Sequence, residues 1–244
     1  MHVAGAITET DVIKSLEIIN TNWESKVVVI PELATPLYPE TSKVYFYNVP
    51  GAKQSVIRFG YPALKTIDKD YYAATVMNYR LGGGSFASQL TQELREGKGY
   101  TYGIRSGFSG SANKGEFIIS SGVRTNVTFE SASLVKQILE DYGKNYNAND
   151  LEITKGFTIK SNARAFETLG AKLNMLTNIS NYGFNDDYAK QREIIVRNLT
   201  VEAIKTLTKN YIKPNQMIYL IVGDAATQLD KLEGLGFGKP VLLN

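Results

Sequence analysis

Apolar and polar residues alternate along KVYFYNVPGAKQSVIRFGYP, residues 43–62, and the alternation is broken once, at Pro50-Gly51. A period of two marks strands with one buried face, and Pro-Gly suits the centre of a type II turn. The stretch therefore predicts a hairpin of antiparallel strands over 43–49 and 53–61. The period then lengthens. Asp68 is placed to cap a helix over 69–80 with Tyr72, Val76 and Tyr79 or Met77 on one face. Ser85 is placed to cap a second, in which Phe86, Leu90 and Leu94 recur at i, i+4. TYGIRSGFSG and GEFIISSGV return to the strand pattern, joined near Ala112 to Lys114.

From Asn126 to Leu199 the pattern is helical: ESASLVKQILEDYGK first, then a helix capped by Asn149 with Glu152 three residues on, then LGAKLNMLTNISNYG. Another helix begins near Thr200. QMIYLIVGD closes the pattern as a short β-branched run, followed by a brief polar stretch and an apolar tail. Strands and helices in these proportions predict an α+β fold.

The chain opens on VAGAI, residues 3–7, which reads as a strand, and Thr8-x-x-Asp11 then resembles a capping box opening a helix. A strand without a preceding element points to a fragment of a longer polypeptide. Pro31, Pro36 and Pro39 fall within nine residues, and each fixes φ and removes a ladder donor. Residues 31–41 read as a Pro-rich linker, 1–30 as the tail of a preceding domain, and 42–244 as the main domain. VAGAI plus helix echoes LIVGD plus ATQLDKL near the end, as a repeated unit would.

Composition narrows the chemistry. The net charge of +3 comes from 27 basic and 24 acidic residues spread along 244, which excludes the dense cationic stripe of a nucleic-acid binder. No window approaches the roughly eighteen apolar residues of a membrane span, and the first residues lack a signal-peptide pattern. The chain reads as soluble, with its compartment open between the cytoplasm and a bacterial periplasm. There is no cysteine and one histidine, His2. Disulfides and thiolate chemistry are absent, no H-x-x-E-H or H-E-x-x-H zinc site is possible, and no G-x-S-x-G elbow is present. The chain is expected to hold no metal and to have no catalytic residue of its own.

RLGGGSFASQLTQELREGKGYTYG, residues 80–103, is the densest motif. Gly82-Gly83-Gly84 precede a helix start, where free N–H groups attract anions. Yet the run follows a helix, not a strand, and lacks the Gly-Lys-Ser/Thr of a phosphate loop. Glycines that end one helix and allow close approach of the next explain it better, with anion binding at Gly82 to Ser85 ranked last. Further on, Arg95 lies near a helix end, Gly97 and Gly99 turn the chain, and Tyr102 sits early in the next strand. A strand that folds back across its own helix can bring this guanidinium and phenol to one domain edge. There both can donate to a carbonyl, or serve as a helix-end contact and a half-buried strand residue.

The segment resembles the signature of the second domain in the pitrilysin or insulinase family of inverzincins, which includes the mitochondrial processing peptidase. The matching residues are Leu81 to Gly84, Leu90, Glu93-Leu94-Arg95-Glu96 and Gly99 to Tyr102, with FGYP before them and LIVGD at the close. The resemblance implies a two-layer α+β sandwich, a mainly antiparallel sheet with helices on one face. It also implies pairing of homologous domains into halves that close like a clamshell around a peptide. One half carries H-x-x-E-H and zinc, as the same chain or a separate subunit. The matching domain supplies an Arg and a Tyr seven apart, here Arg95 and Tyr102, that hold the peptide substrate near the scissile bond. On that reading the chain is the substrate-binding, non-zinc domain of a metallopeptidase, inactive alone. The alternative is a structural or docking module of the same family.

Overall fold

The computed structural model describes every residue except 30, 32, 33, 35 and 36, so the predicted linker lies partly outside the described residues. Six strands form one sheet: β1 (Lys43–Asn48), β2 (Gln54–Ala63), β3 (Thr101–Gly110), β4 (Gly115–Arg124), β5 (Ile218–Gly223) and β6 (Val241–Leu242). Their order is β3-β4-β2-β5-β1-β6. The β3-β4, β4-β2 and β2-β5 pairs are antiparallel, and β1 runs parallel to both β5 and β6. The fold is α+β and two-layered, as the sequence predicts.

The hairpin does not form. Val49 to Ala52 makes the expected turn, with Ala52 N–H donating to Val49 O at 3.2 Å and Gly51 at φ +71°. But β5 inserts between β1 and β2, matching Lys43 to Ile218 on one side and Gly60 to Ile218 on the other. The end of β5 is fastened to the turn: Val49 N–H donates to Gly223 O, Gly51 N–H to Asp224 Oδ1 and Ala225 N–H to Asn48 Oδ1. Alternation in β1 and β2 fixes their buried faces and says nothing of which strand lies between them.

One face of the sheet, bearing Phe46, Ile57, Phe59, Phe117, Ile119 and Tyr219, is buried beneath helices. Against it pack α2 (Tyr71–Asn78) and α4 (Thr128–Asn145), with α8 (Val201–Tyr211) against both of these helices and α5 (Ala148–Arg164) and α7 (Tyr188–Asn198) against α2. The region 126–199 therefore holds α4, α5, α6 (Leu169–Tyr182) and α7, one helix more than the pattern indicates, with α6 ending at Gly183, φ +65°.

Several caps move. Asp68 accepts from Lys65 N–H in the preceding turn and does not cap α2, which starts after Asp70. Asn147, not Asn149, caps α5, in a reciprocal box with Asp150. Another residue of the right polarity stands two positions away in each case, so pattern alone cannot choose. Thr8 does cap α1 (Glu9–Asn22), accepting from Asp11 N–H at 3.2 Å. Residues 3–7 are not a strand, because no described strand lies beside them to pair with, and α1 buries none of its residues.

After Asn78 the α-helix widens into a π-turn, Tyr79–Gly83, with Gly84 N–H reaching back to Tyr79 O at 2.8 Å. Such a turn breaks the regular i to i−4 ladder. The buried hydroxyl of Tyr142 donates to Met77 O at 2.6 Å just before the break. Burial raises the pKa of this phenol well above its ordinary value. Tyr142→Phe should cost about 1–3 kcal/mol by leaving that carbonyl short of a donor, measurable as a lower urea midpoint at constant m.

Candidate functional site

The predicted motif lies at one end of the sheet. The second helix does not begin at Ser85, which occupies a short 3₁₀ turn, Ser85–Ala87, at φ +51°. α3 (Gln89–Thr91) starts after Ser88 and passes directly into a second π-helical segment, Gln92–Gly97. Ser88 has the extended backbone of a capping residue, while Ser85 supplies only its carbonyl, bonded by the Ser88 hydroxyl at 2.7 Å. Leu90 and Leu94 are fully buried, and Phe86, the third member of the predicted stripe, is exposed.

The glycine run is a packing device. A Cβ on Gly82 would stand 2.2 Å from Ser106 Oγ, 2.7 Å from Ser106 N and 2.8 Å from Leu90 Cδ1. One on Gly84 would stand 2.7 Å from Tyr79 O. The contact is locked by Asn78, whose Nδ2 donates to Ser106 O at 2.8 Å and whose Oδ1 accepts from Ser106 Oγ at 2.6 Å. Gly82 thus holds the π-turn against β3, and Gly84 lets the turn close on Tyr79, so packing accounts for both glycines.

That clamp makes β3 fold back along its own helix. Gly99, at φ +61°, donates to Arg95 O at 3.0 Å, and Tyr100 N–H donates to Leu94 O at 2.8 Å, so the turn between helix and strand is tied at both ends. β3 is an edge strand, and its register with β4 slips between Thr101 and Ile104. The bulge is braced by hydroxyls: Ser121 Oγ donates to Thr101 Oγ1 at 2.8 Å, and Thr101 Oγ1 lies 2.7 Å from Gly122 O. A bulge re-aims the side chain it carries. That side chain is Tyr102, 89% exposed.

Arg95 and Tyr102 flank this turn at the same corner of the domain, and no hydrogen bond joins them among the described residues. Arg95 stacks over Phe86, Cζ 4.6 Å from the ring centroid, and its Nε lies 3.2 Å from Glu96 Oε1. Phe86 thus has a role the stripe pattern hides: it supports the guanidinium, whose Nη donors have no partner among the described residues. The pattern also passed over Arg80, which lies in the π-turn and pairs with Asp150, Nη2 to Oδ1 2.8 Å, while also donating to Ala87 O. The N-cap spacing Asn147-x-x-Asp150 was the available sign that this carboxylate is held in place.

Among the described residues no group of three or more His, Cys, Asp or Glu side chains could hold a metal ion, and no helix is long and apolar enough to cross a membrane. His2, in the N-terminal coil, is the chain's one imidazole. The residues present do not fit a zinc site.

A helix-backed, six-stranded sheet with a glycine-tied corner defines a two-layered α+β domain. The chain belongs to the family described as Peptidase M16 inactive domain, which matches residues 2–156 and so includes the whole of 80–103. It is 27% identical over 176 residues to the non-peptidase homolog YmxG of Helicobacter pylori, covering 70% of this chain and 40% of that protein. It is 31% identical over 126 residues to an uncharacterized zinc protease of Streptomyces coelicolor, covering 51% and 27%. The crystal structure of a peptidase M16 inactive domain from Pseudomonas fluorescens superposes with a TM-score of 0.79 at 24% identity, over 90% of this chain and 52% of that one. The chain spans less than half the length of the curated relatives it matches.

Proposed function

We propose that this chain is the substrate-holding, non-zinc domain of an M16 peptidase, working opposite a catalytic half that carries H-x-x-E-H and its zinc, in one polypeptide or two. The observation that carries the reading is the exposed Tyr102 on a braced edge bulge, across one turn from Arg95, whose Nη groups have no partner among the described residues. A domain serving only as scaffold has no need to hold a phenol in water on a hydroxyl-braced bulge. The zinc of the partner half supplies the hydrolytic chemistry. Within this chain, Arg95 and Tyr102 donate hydrogen bonds to a peptide carbonyl, orient it, and stabilise the negative charge that develops on its oxygen. Residues 42–244 form the second domain of such a half. Residues 1–30 form the tail of the preceding homologous domain, joined through 31–41, consistent with the exposed Ile13, Ile19 and Trp23 of that tail.

A second reading, a docking module without proteolysis, is favoured by the name of the H. pylori relative. Mixing separates the two. The chain alone should leave a flexible peptide intact, and the chain plus its catalytic half should hydrolyse it. Hydrolysis by the chain alone, unaffected by the added half, overturns the first reading. A complex that assembles and never hydrolyses any peptide supports the second.

A further inference from the structure

On the face of the sheet turned away from the helices, Val56, Arg58, Arg105 and Arg124 are exposed, and the strand registers arrange that face in transverse rows. Arg105 on β3 and Arg58 on β2 are both paired with Ser120 of β4, so the two exposed guanidiniums flank one serine. Neighbouring strands lie about 4.8 Å apart, which sets the two Cα atoms roughly 10 Å from each other. The same row continues through Leu220 to Tyr45. One row toward the loop between β3 and β4, Gly107, Ile118, Gly60 and Ile218 stand opposite one another. Gly60, Ile118 and Ile218 of this row line a concavity of about 510 Å³, together with Arg58, Lys114 and Glu116.

In the other direction along β4 come Gly122, opposite the 48% exposed Val56, and then Arg124 opposite Gln54. Arg124 lies four residues from Ser120, roughly 13–14 Å along the strand. Its N–H donates to Tyr100 O, so this end of the row abuts the Arg95–Tyr102 corner. None of Arg58, Arg105 and Arg124 forms an ion pair among the described residues. Glu116 is the acid on these rows, two residues beyond Ile118 on the side away from Arg124.

We infer that this open face docks an extended, acidic segment of polypeptide lying along β4. One carboxylate sits over Ser120 between Arg58 and Arg105. An apolar side chain two residues on covers Gly122 and Val56, and a second carboxylate four residues on meets Arg124. An extended peptide places alternate side chains on one side at about 6.6–7 Å, which matches the row spacing. Guanidiniums bind carboxylates in a planar, two-point geometry, and unpaired ones on an apolar floor select for them. The apolar Val56 between the arginines favours a peptide over nucleic acid, whose phosphates would have to lie against it. The inference rests on the proposed function, since the segment runs from the corner where Arg95 and Tyr102 hold the substrate, and it names that substrate's class.

The test is fluorescence anisotropy with the full chain and three labelled twelve-residue peptides that share an apolar pattern, with Glu, Gln or Lys at the i and i+4 positions. The Glu peptide should bind at least about tenfold more tightly than the Gln peptide, and the Lys peptide more weakly than either. The Glu preference should shrink between 50 and 300 mM salt. Arg58→Gln with Arg105→Gln should erase the preference, and Arg58→Glu with Arg105→Glu should reverse it, with circular dichroism reporting the fold of each. Equal binding of the Glu and Gln peptides, a preference that survives both double variants, or tighter binding of a DNA duplex than of the Glu peptide overturns the inference and leaves the proposed function standing. Binding of none of the three peptides, together with no hydrolysis by the assembled protein, overturns both.

Discussion

Replacing Arg95 by alanine should, on the proposed substrate-holding role, lower peptide turnover by the assembled protein about 10²-fold or more, in kcat rather than KM, while assembly is unchanged. Removal of one preorganised donor to a developing oxyanion costs on that order. The Arg95 side chain is part exposed, stacked on Phe86 and paired with Glu96, and among the described residues it makes no hydrogen bond to the buried core. Arg95→Lys separates charge from geometry. The lysine keeps a cation but loses the planar fork and the stack on Phe86, so it should restore only a small part of the lost turnover. Phe86→Ala should weaken turnover through the same guanidinium with no loss of charge. Tyr102→Phe should lower kcat, by less than Arg95→Ala, because a neutral hydroxyl donates a weaker bond than a guanidinium. Steady-state kinetics with one flexible peptide, beside size-exclusion chromatography of the complex, reads all four variants. Turnover and assembly both unchanged in Arg95→Ala would leave the docking module as the better reading.

How far these residues could be read from the sequence depends on which interactions place them. The faces of the strands were legible, because a period of two states directly that Ile57, Phe59, Phe117 and Ile119 share a buried side. The order of the strands was not. β5 enters between β1 and β2 from more than 150 residues away, and the contacts that fix it there are made by backbone groups at Val49 and Gly51, by the Asn48 side chain and by Asp224 after the strand ends. Most helices were legible from 3.6-residue periodicity, α7 excepted, and helix starts only in part: Thr8 and Thr200 are the caps the sequence points to, while Asp68, Ser85 and Asn149 each stand within three residues of the cap that won. The corner that presents Tyr102 was half legible. Gly97, Gly99 and the seven-residue interval suggested a return, but the bulge that aims the phenol depends on Ser121, from another strand. The roles given to Arg95 and Tyr102 came from likeness to a family. The arginines of the open face had no sign in the sequence, because Arg58 and Arg105 become neighbours of one serine only through two separate strand registers.

The glycine run yields the second large effect. Gly82→Ala should destabilise the domain by about 3 kcal/mol, a fall in Tm of roughly 6–12 °C for a chain of this size. The added methyl would need the space of Ser106 Oγ, 2.2 Å away, of Ser106 N and of Leu90 Cδ1. None of these yields easily. Ser106 Oγ is bonded to Asn78 Oδ1, its backbone is part of β3, and Leu90 is fully buried. Relief requires the π-turn to withdraw from β3, which breaks both Asn78 bonds and leaves buried polar groups unpaired. Gly170→Ala in α6 is the control. A methyl added there would meet nothing within 4 Å, and the change should be neutral or slightly stabilising because alanine has less freedom to lose on folding. If the run were an anion cradle, phosphate would raise the Tm of the wild type and not of Gly82→Ala. If it is a packing surface, phosphate moves neither, and the cost of Gly82→Ala is the same in any buffer. Because the same clamp sets the direction in which β3 leaves its helix, Gly82→Ala should also lower turnover in the fraction that remains folded, although its side chain touches no substrate.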